Sequence, residues 1–117
     1  MSTSFSISGR AVGPASAPFG IAEAGINHEG EDAKAIQLVD AAVEAGAECI
    51  KFQCHITDKE MVKTDITPKG ISSESLWDII KRCELTEAEE RNLQAYCAER
   101  GILYLSTPFS SEAADRL

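Results

Sequence analysis

The chain has 117 residues, of which 44% are hydrophobic and 26% are charged, a composition typical of a soluble globular protein with at most one small domain. Its formal net charge is -8, with 19 acidic and 11 basic residues, which argues against a nucleic-acid partner because DNA-binding surfaces need clustered Lys and Arg. There is no apolar run of about 18 residues and no signal-peptide pattern, so we expect a cytoplasmic protein with no membrane partner.

The N-terminal part of the sequence predicts a β-hairpin followed by a strand. Residues 1–17 form a lead-in with two weak strands, FSIS and RAV, around Gly9. Residues 18–25 (PFGIAEAG) then predict a short apolar strand with Glu23 near its end.

A helix is predicted after the turn GINHEG. The acidic residues Glu31 and Asp32 suit the positive end of a helix dipole, and Gly46 stands where a left-handed residue would end the helix. The predicted apolar stripe contains Ile36, Val39 and Val43, widened by Leu38 and Ala42.

The stretch AECIKFQCHITD, residues 47–58, alternates as a strand does. Because successive side chains of a strand point to opposite faces, Lys51, Gln53 and His55 share one face. The other face carries Ile50, Phe52 and Cys54. We therefore predict a strand with one apolar face and one face that carries chemistry.

A polar loop and a short helix follow this strand. The residues DKEMVKTDITPKGIS form a loop of the kind that more often covers a site than merely connects elements. Ser72 or Ser73 is expected to cap a helix whose apolar stripe runs from Leu76 to Cys83, with Trp77 at its flank.

A second helix and a third strand complete the pattern. Thr86 to Glu89 has the capping-box form T-x-x-E, which predicts a helix over residues 87–100 that stops at Gly101. The predicted buried residues of this helix are Leu93, Tyr96 and Cys97. Residues 102–109 (ILYLSTPF) predict the third strand.

Strands and helices alternate along the chain, and one more helix is expected from Ser110 or Ser111. Such alternation favours parallel strands joined by crossovers, hence an α/β fold. A (β/α)8 barrel takes about 250 residues, of which this chain would supply about three of the eight units. A doubly wound sheet is the smaller alternative.

Polar residues stand near the carboxyl end of each predicted strand. They are Glu23 for the first strand, Lys51 and Gln53 for the second, and Ser106 and Thr107 for the third. Parallel α/β folds place their active sites at this end of the sheet, which favours a functional site. A structural ion pair between Glu23 and Lys51 stays open as the alternative.

The turn GINHEG and the two histidines leave further alternatives open. Asn27 and His28 are candidates for an anion site at a helix N-terminus, or for an ordinary turn with Asn and Gly at positive φ. His28 and His55 have weak support as metal ligands, since no third ligand stands at a known spacing. Nucleotide-binding motifs are absent, and the four cysteines, which form no CxxC pair, are expected to be buried hydrophobes.

Four segments occur in order along the chain: IAEAGINHEG, DAAVEAGAECIKFQ, LWDIIKRCELTEAE and LYLSTPFS. Together they resemble the N-terminal part of the sialic acid synthase family, over a range from about Phe5 to Leu117. These enzymes use phosphoenolpyruvate to make N-acetylneuraminate and related nonulosonates such as legionaminate and pseudaminate, and spore-coat polysaccharide synthases are relatives.

The resemblance implies the N-terminal portion of a (β/α)8 TIM barrel, with about three β/α units preceded by a short β-hairpin. The domains are then a lead-in over residues 1–17 and part of the catalytic barrel over residues 18–117. On this resemblance, full-length members are homodimers in which a small C-terminal antifreeze-like domain completes the site of the partner subunit, and we expect that domain to be absent from these 117 residues.

The resemblance also implies a reaction and residue roles. C3 of phosphoenolpyruvate joins the aldehyde of an N-acyl hexosamine such as N-acetylmannosamine, water attacks C2, and phosphate leaves. A divalent metal, Mn2+ or Mg2+, activates the aldehyde, and its ligands are expected beyond this chain. Glu23 matches a glutamate that positions or deprotonates water, and Lys51 matches a lysine that binds the phosphoenolpyruvate anion. Gln53 matches a polar residue at the sugar site, and Thr107 matches a threonine that also holds phosphoenolpyruvate.

The sugar and the activity of these residues alone stay open. Where close relatives carry a sugar-contacting asparagine before SLWDII, this sequence has PKGISSES, so the sugar is unspecified. The 117 residues by themselves are expected to be inactive, because the site also needs later strands. The alternative function is a stand-alone, non-catalytic acidic α/β module that binds a small anion or a protein partner.

Overall fold

A computed structural model describes residues 3–117, so the first two residues of the predicted lead-in, Met1 and Ser2, lie outside the described part. It begins with a hairpin of β1 (Phe5–Ile7) and β2 (Arg10–Val12). There follow β3 (Ile21–Gly25), α1 (Asp32–Glu44), β4 (Cys49–Cys54), α2 (Thr57–Glu60), α3 (Leu76–Arg82), α4 (Glu87–Arg100), β5 (Leu103–Pro108) and α5 (Ser111–Arg116). Strands β3, β4 and β5 form a parallel sheet in that order, which confirms the predicted α/β class.

The apolar core lies between one face of this sheet and the helices α1 and α4. Ile50 and Phe52 of β4 are each 1% exposed and cluster with Val39 of α1 and with Leu93 and Cys97 of α4. Full burial of a side chain such as Phe or Leu contributes about 1.5–3 kcal/mol, so these residues decide which face of β4 turns inward. The alternation predicted for β4 is confirmed, because Lys51 and Gln53 on the opposite face are only half-buried.

Helix α4 has the ends that the sequence predicts. The Thr86 hydroxyl accepts a hydrogen bond from the Glu89 N–H at 3.2 Å, and the Glu89 carboxylate accepts one from the Thr86 N–H at 2.7 Å. Gly101 follows with a left-handed φ of 74°. Tyr96, predicted as buried, is half-buried and donates its hydroxyl hydrogen to Asp40 at 2.5 Å.

Helix α3 is capped by a serine other than the two predicted. Ser75, not Ser72 or Ser73, accepts a hydrogen bond from the Asp78 N–H at 3.1 Å, because a cap must immediately precede the first helical residue. The apolar stripe is shallower than predicted, since Leu76 is 41% exposed and no residue within α3 is fully buried. The predicted polar loop before it contains the single-turn helix α2, and residues 61–75 form neither helix nor strand.

The hairpin is attached at the amino end of the parallel strands. Ser8 and Gly9 have φ values of 47° and 81°, as a two-residue hairpin turn requires. Arg10 binds both carboxylate oxygens of Glu48, at 2.8 and 3.1 Å, immediately before β4. This contact lowers the pKa of the Glu48 carboxyl, with the hydrogen bond from Arg10 as the largest cause. The hairpin therefore lies at the end of the sheet away from the predicted site.

All four cysteines are buried free thiols, as predicted. Burial is the largest cause that raises the pKa of Cys54 to about 12 and that of Cys97 to about 11. They fill space as small apolar groups. Within residues 3–117, no helix combines the length and hydrophobicity that a membrane span requires.

The turn GINHEG adopts a backbone that differs in detail from the prediction. Positive φ is found at Gly25 (55°), Glu29 (58°) and Gly30 (79°) and not at Asn27. A Cβ atom at Gly30 would lie 2.0 Å from the carbonyl oxygen of Arg82, so the turn packs directly on the backbone at the end of α3. Only glycine fits this contact.

The charges around this turn argue against the alternative that it binds an anion. Glu29, Glu31 and Asp32 surround the first turn of α1, and Lys34 is already paired with Glu29 and with Glu31. Carboxylates at the start of a helix satisfy its dipole and repel a further anion. An ordinary turn is the better interpretation.

We expect Gly30→Ala to lower the free energy of unfolding by about 3 kcal/mol or more, because it adds left-handed strain and a backbone clash. Gly46→Ala is the matched control, since Gly46 has a φ of 80° and no atom within 4 Å of an added Cβ. That control should cost only about 1 kcal/mol. Urea unfolding of both variants measures the difference, and equal losses would contradict the contact with Arg82.

His28 is a buried titratable residue in the same turn. Its side chain is 1% exposed, its Nδ1 accepts a hydrogen bond from the Gly30 N–H at 2.9 Å, and its Nε2 finds no partner among the described residues. Burial, the largest cause, lowers the pKa of His28 below 6.5.

The free energy of unfolding should therefore fall as the pH drops below about 6.5, because His28 binds a proton more readily in the unfolded chain than in the folded one. His28→Asn keeps an acceptor for Gly30 and removes the titration. We expect this variant to lose less stability than the wild type between about pH 7 and pH 5, measured by urea unfolding at each pH. A parallel decline in both proteins would show that other groups cause the acid sensitivity.

Candidate active site

The four residues that the sequence singles out lie on one face of the parallel sheet. Glu23 of β3 is paired in register with Lys51 of β4, and Gln53 of β4 is paired with Thr107 of β5. Residues paired directly across a parallel ladder point to the same face, and positions i and i+2 of one strand do as well. The four side chains therefore share the face opposite the helix-packed core, near the carboxyl ends of the strands. We call this set of four the rim.

Glu23 and Lys51 form an ion pair at the rim. The Lys51 Nζ lies 3.3 Å from the Glu23 Oε2, and their side chains are 36% and 54% exposed, respectively. Ion pairs with this exposure contribute about 0–1 kcal/mol to stability. Holding the fold together is thus a weak explanation for the pair, and Lys51 can turn to another anion at little cost.

Gln53 and Glu23 flank an open position above Gly25. Gly25 has a φ of 55°, and the β3–β4 register shifts between Glu23 and Gly25. A Cβ placed on Gly25 would lie 3.5 Å from both the Gln53 Nε2 and the Glu23 Oε1. A donor and an acceptor thus face the same small space beside a residue without a side chain, where a ligand can approach the backbone closely.

The side chains of Thr107 and Ser106, neighbours in sequence, point to opposite faces of the sheet. Thr107 is half-buried on the rim face, next to Gln53 in the ladder. Ser106 pairs with Phe52 and so points to the core side, where its Oγ is buried without a hydrogen-bond partner among the described residues. Of the two hydroxyls at the end of β5, only Thr107 joins the rim.

His55 does not have the free ring nitrogens that a metal ligand needs. Its Nε2 lies 2.8 Å from the Gln53 Oε1, and its Nδ1 lies 2.7 Å from the Glu60 Oε1. Its ring also stacks on Phe109, with centroids 4.3 Å apart. The sequence did not predict that Glu60 and Phe109 contact His55. The alternation K-x-Q-x-H was the one local signal that placed His55 on the same side as Gln53.

The residues described here do not make a metal centre by themselves. Within residues 3–117, no group of three or more His, Cys, Asp or Glu side chains is arranged to hold a metal ion. The His28 Nδ1 accepts from the Gly30 N–H, and its Nε2, although unpartnered, belongs to no such group. The chemistry that this rim supplies is one carboxylate, one ammonium, one carboxamide and one hydroxyl.

The chain is similar to known proteins over nearly all of its length. It is 36% identical over 115 residues to the spore coat polysaccharide biosynthesis protein SpsE of Bacillus subtilis, covering 97% of this chain and 31% of that protein. It is 35% identical over 104 residues to the N,N'-diacetyllegionaminic acid synthase of Legionella pneumophila, covering 85% of this chain and 29% of the synthase. The chain therefore spans less than a third of the length of these relatives.

A solved structure has the same fold. The crystal structure of N-acetylneuraminic acid (sialic acid) synthetase from Leptospira borgpetersenii, in complex with citrate, matches all of this chain and 38% of its own. The TM-score is 0.80 at 28% sequence identity. The sequence model of the NeuB family matches residues 38–117, which include Lys51, Gln53 and Thr107. On this match the chain belongs to the NeuB family, whose named synthases make sialic, legionaminic and pseudaminic acids.

Proposed function

We propose that the full-length polypeptide carrying these residues condenses phosphoenolpyruvate with an N-acyl hexosamine to form a nonulosonate. In this reaction a C–C bond forms between C3 of phosphoenolpyruvate and the aldehyde carbon of the sugar, whose oxygen takes a proton. Water then adds to C2, and the C2–O bond to phosphate breaks. Inorganic phosphate and a 2-keto acid result.

The observation that carries the proposal is the shared rim. The Lys51 ammonium group stands in an acidic chain, beside a carboxylate that can accept a proton and polar side chains that can bind a substrate. All of them lie near the carboxyl ends of the strands, where parallel α/β folds bind substrates. The family match supports the same reaction, because the similar proteins bear the names of sialic and legionaminic acid synthases.

We assign the roles as follows. Lys51 binds the phosphoenolpyruvate anion by a charge-assisted contact and leaves its weak pair with Glu23 to do so. Glu23, released from Lys51, accepts a proton from the water that attacks C2 or orients that water. Gln53 contacts the sugar, and the Thr107 hydroxyl donates a hydrogen bond to phosphoenolpyruvate. A divalent metal, Mn2+ or Mg2+, belongs to the proposal as an aldehyde activator, but no role here depends on it.

We further propose that residues 18–117 form part of a (β/α)8 barrel, with residues 1–17 as a separate hairpin lead-in. The parallel sheet and the hairpin anchored through Arg10 at its amino end support this division. An antifreeze-like C-terminal domain and a homodimer complete the proposed full-length enzyme.

The proposal predicts that the full-length protein releases inorganic phosphate from phosphoenolpyruvate only when a suitable N-acyl hexosamine is present. A panel that includes N-acetylmannosamine, assayed with Mn2+ or Mg2+, would identify the sugar, and mass spectrometry would identify the nonulosonate. Glu23→Gln should abolish most of the turnover. Phosphate release that does not depend on any sugar would contradict the condensation.

Lys51→Met should raise the KM for phosphoenolpyruvate by about 10- to 100-fold, since one charge-assisted hydrogen bond contributes about 1.5–3 kcal/mol. Lys81→Met is the matched control, because Lys81 is also 3.3 Å from a carboxylate, that of Asp58, and is 47% exposed. The control loses surface ion pairs with Asp58 and, at 3.4 Å, with Glu84, both away from the rim, and should keep the wild-type KM. Steady-state kinetics with varied phosphoenolpyruvate decides the matter, and an unchanged KM for Lys51→Met would remove Lys51 from the site.

A further inference from the structure

Gln53 of the rim continues into a hydrogen-bonded chain with two side chains behind the rim, His55 and Glu60. Gln53 contacts His55 through its Oε1, and His55 contacts Glu60 through its other ring nitrogen, at 2.8 and 2.7 Å. The side chains of His55 and Glu60 are only 4% and 7% exposed. A buried His–Glu pair that ends on a half-exposed residue of the rim therefore connects the core to the candidate site.

The His55 ring is held from further directions. Phe109, which follows β5 directly, stacks on it with an interplanar angle of 23°, and the Phe109 N–H donates to the Cys54 carbonyl at 3.3 Å. Glu60 is set in place by the single turn of α2, whose first residue, Thr57, is fully buried. His55 thus has little freedom to rotate.

This arrangement restricts Gln53. A free glutamine side chain samples many rotamers and can turn either end of its carboxamide toward a ligand. Here the Oε1 is committed to His55, and the Nε2 lies on the side of Gly25 and Glu23. In this orientation both His55 ring nitrogens donate, one to Glu60 and one to the Gln53 Oε1, and the amide turns its NH2 group, not its oxygen, to the open position at the rim.

We propose that His55 and Glu60 are positioning residues that fix the Gln53 carboxamide so that its NH2 group donates to an oxygen of the N-acyl hexosamine. The inference rests on the proposed function and goes beyond it, because it names two buried residues that never touch substrate. Glu60 holds His55, His55 holds Gln53, and Gln53 selects a sugar with an acceptor oxygen at that point. A preorganised donor binds without first losing rotamer freedom.

A matched pair of substitutions separates positioning from mere stability. The amide of His55→Gln can reach the place of Nε2 and still donate to Gln53, whereas that of His55→Asn mimics Nδ1 and can contact only Glu60. In the full-length enzyme we expect His55→Asn to raise the KM for the sugar about 10-fold, with His55→Gln recovering most of the loss. The KM for phosphoenolpyruvate should stay within about twofold of wild type in both variants.

A double-mutant cycle tests the route through Gln53. Glu60→Ala alone should raise the KM for the sugar, and Glu60→Gln, which keeps a hydrogen bond to Nδ1, should not. In a Gln53→Ala background, Glu60→Ala should add less than about twofold, because the group that it positions is gone. Asp58→Ala, in the same helix α2, removes a surface ion pair with Lys81 and serves as the control.

The outcomes distinguish this inference from the proposed function. If the wild type condenses phosphoenolpyruvate with a sugar but His55→Asn leaves both KM values unchanged, or raises both equally, the positioning role is wrong while the function stands. If the wild type shows no condensation, the proposed function is wrong. The double-mutant cycle of Glu60→Ala and Gln53→Ala is then measured by thermal unfolding instead of by KM. Glu60→Ala should lower Tm by about 3 °C, and by clearly less in the Gln53→Ala background. Additive shifts would overturn the coupling.

Discussion

The register of the parallel sheet is the constraint on which the rest of this structure depends. Glu23, Lys51, Gln53 and Thr107 are far apart in sequence, and they become neighbours only because β3 pairs with β4 and β4 with β5 in one alignment. A slip of one residue would turn Lys51 into the core and Phe52 out of it. Phe52, 1% exposed against α1 and α4, therefore fixes the position of the rim from the opposite face of the sheet.

The attachment of the hairpin and the candidate site lie at opposite ends of the parallel strands. At the amino end of the strands, Arg10 and Glu48 tie the hairpin to the sheet by two short contacts. At the carboxyl end, the only ion pair among the four rim residues is half-exposed and weak, which leaves its members available to a ligand. This division is common in parallel α/β folds, where the loops after the strands can vary without loss of the core. The acidic net charge makes Lys51 a local exception that an anion can recognise.

Much of the fold could be predicted because its signals are local. The alternation around Lys51 depends on neighbouring residues, and the capping box at Thr86 spans four. The failures involve contacts between distant segments or a choice among equivalent residues. The cap of α3 is an exception, because Ser75 directly precedes Leu76, the first residue of the predicted stripe, and was a local signal that the prediction missed. No local signal shows that Glu29 takes the left-handed backbone at the turn. Likewise, Glu60 and Phe109 reach His55 only through α2 and β5, so only the three-dimensional structure shows these contacts.

The buried cysteines have a practical consequence for study of this protein. Alkylating probes react with thiolates, and a thiol whose pKa is raised to about 12, such as Cys54, is almost never ionised near neutral pH. Cys97, at about 11, is nearly as inert, and Cys49 and Cys83 are likewise buried with raised pKa values. A single cysteine introduced on the surface can thus carry a fluorophore or spin label selectively, with the four native thiols left in place.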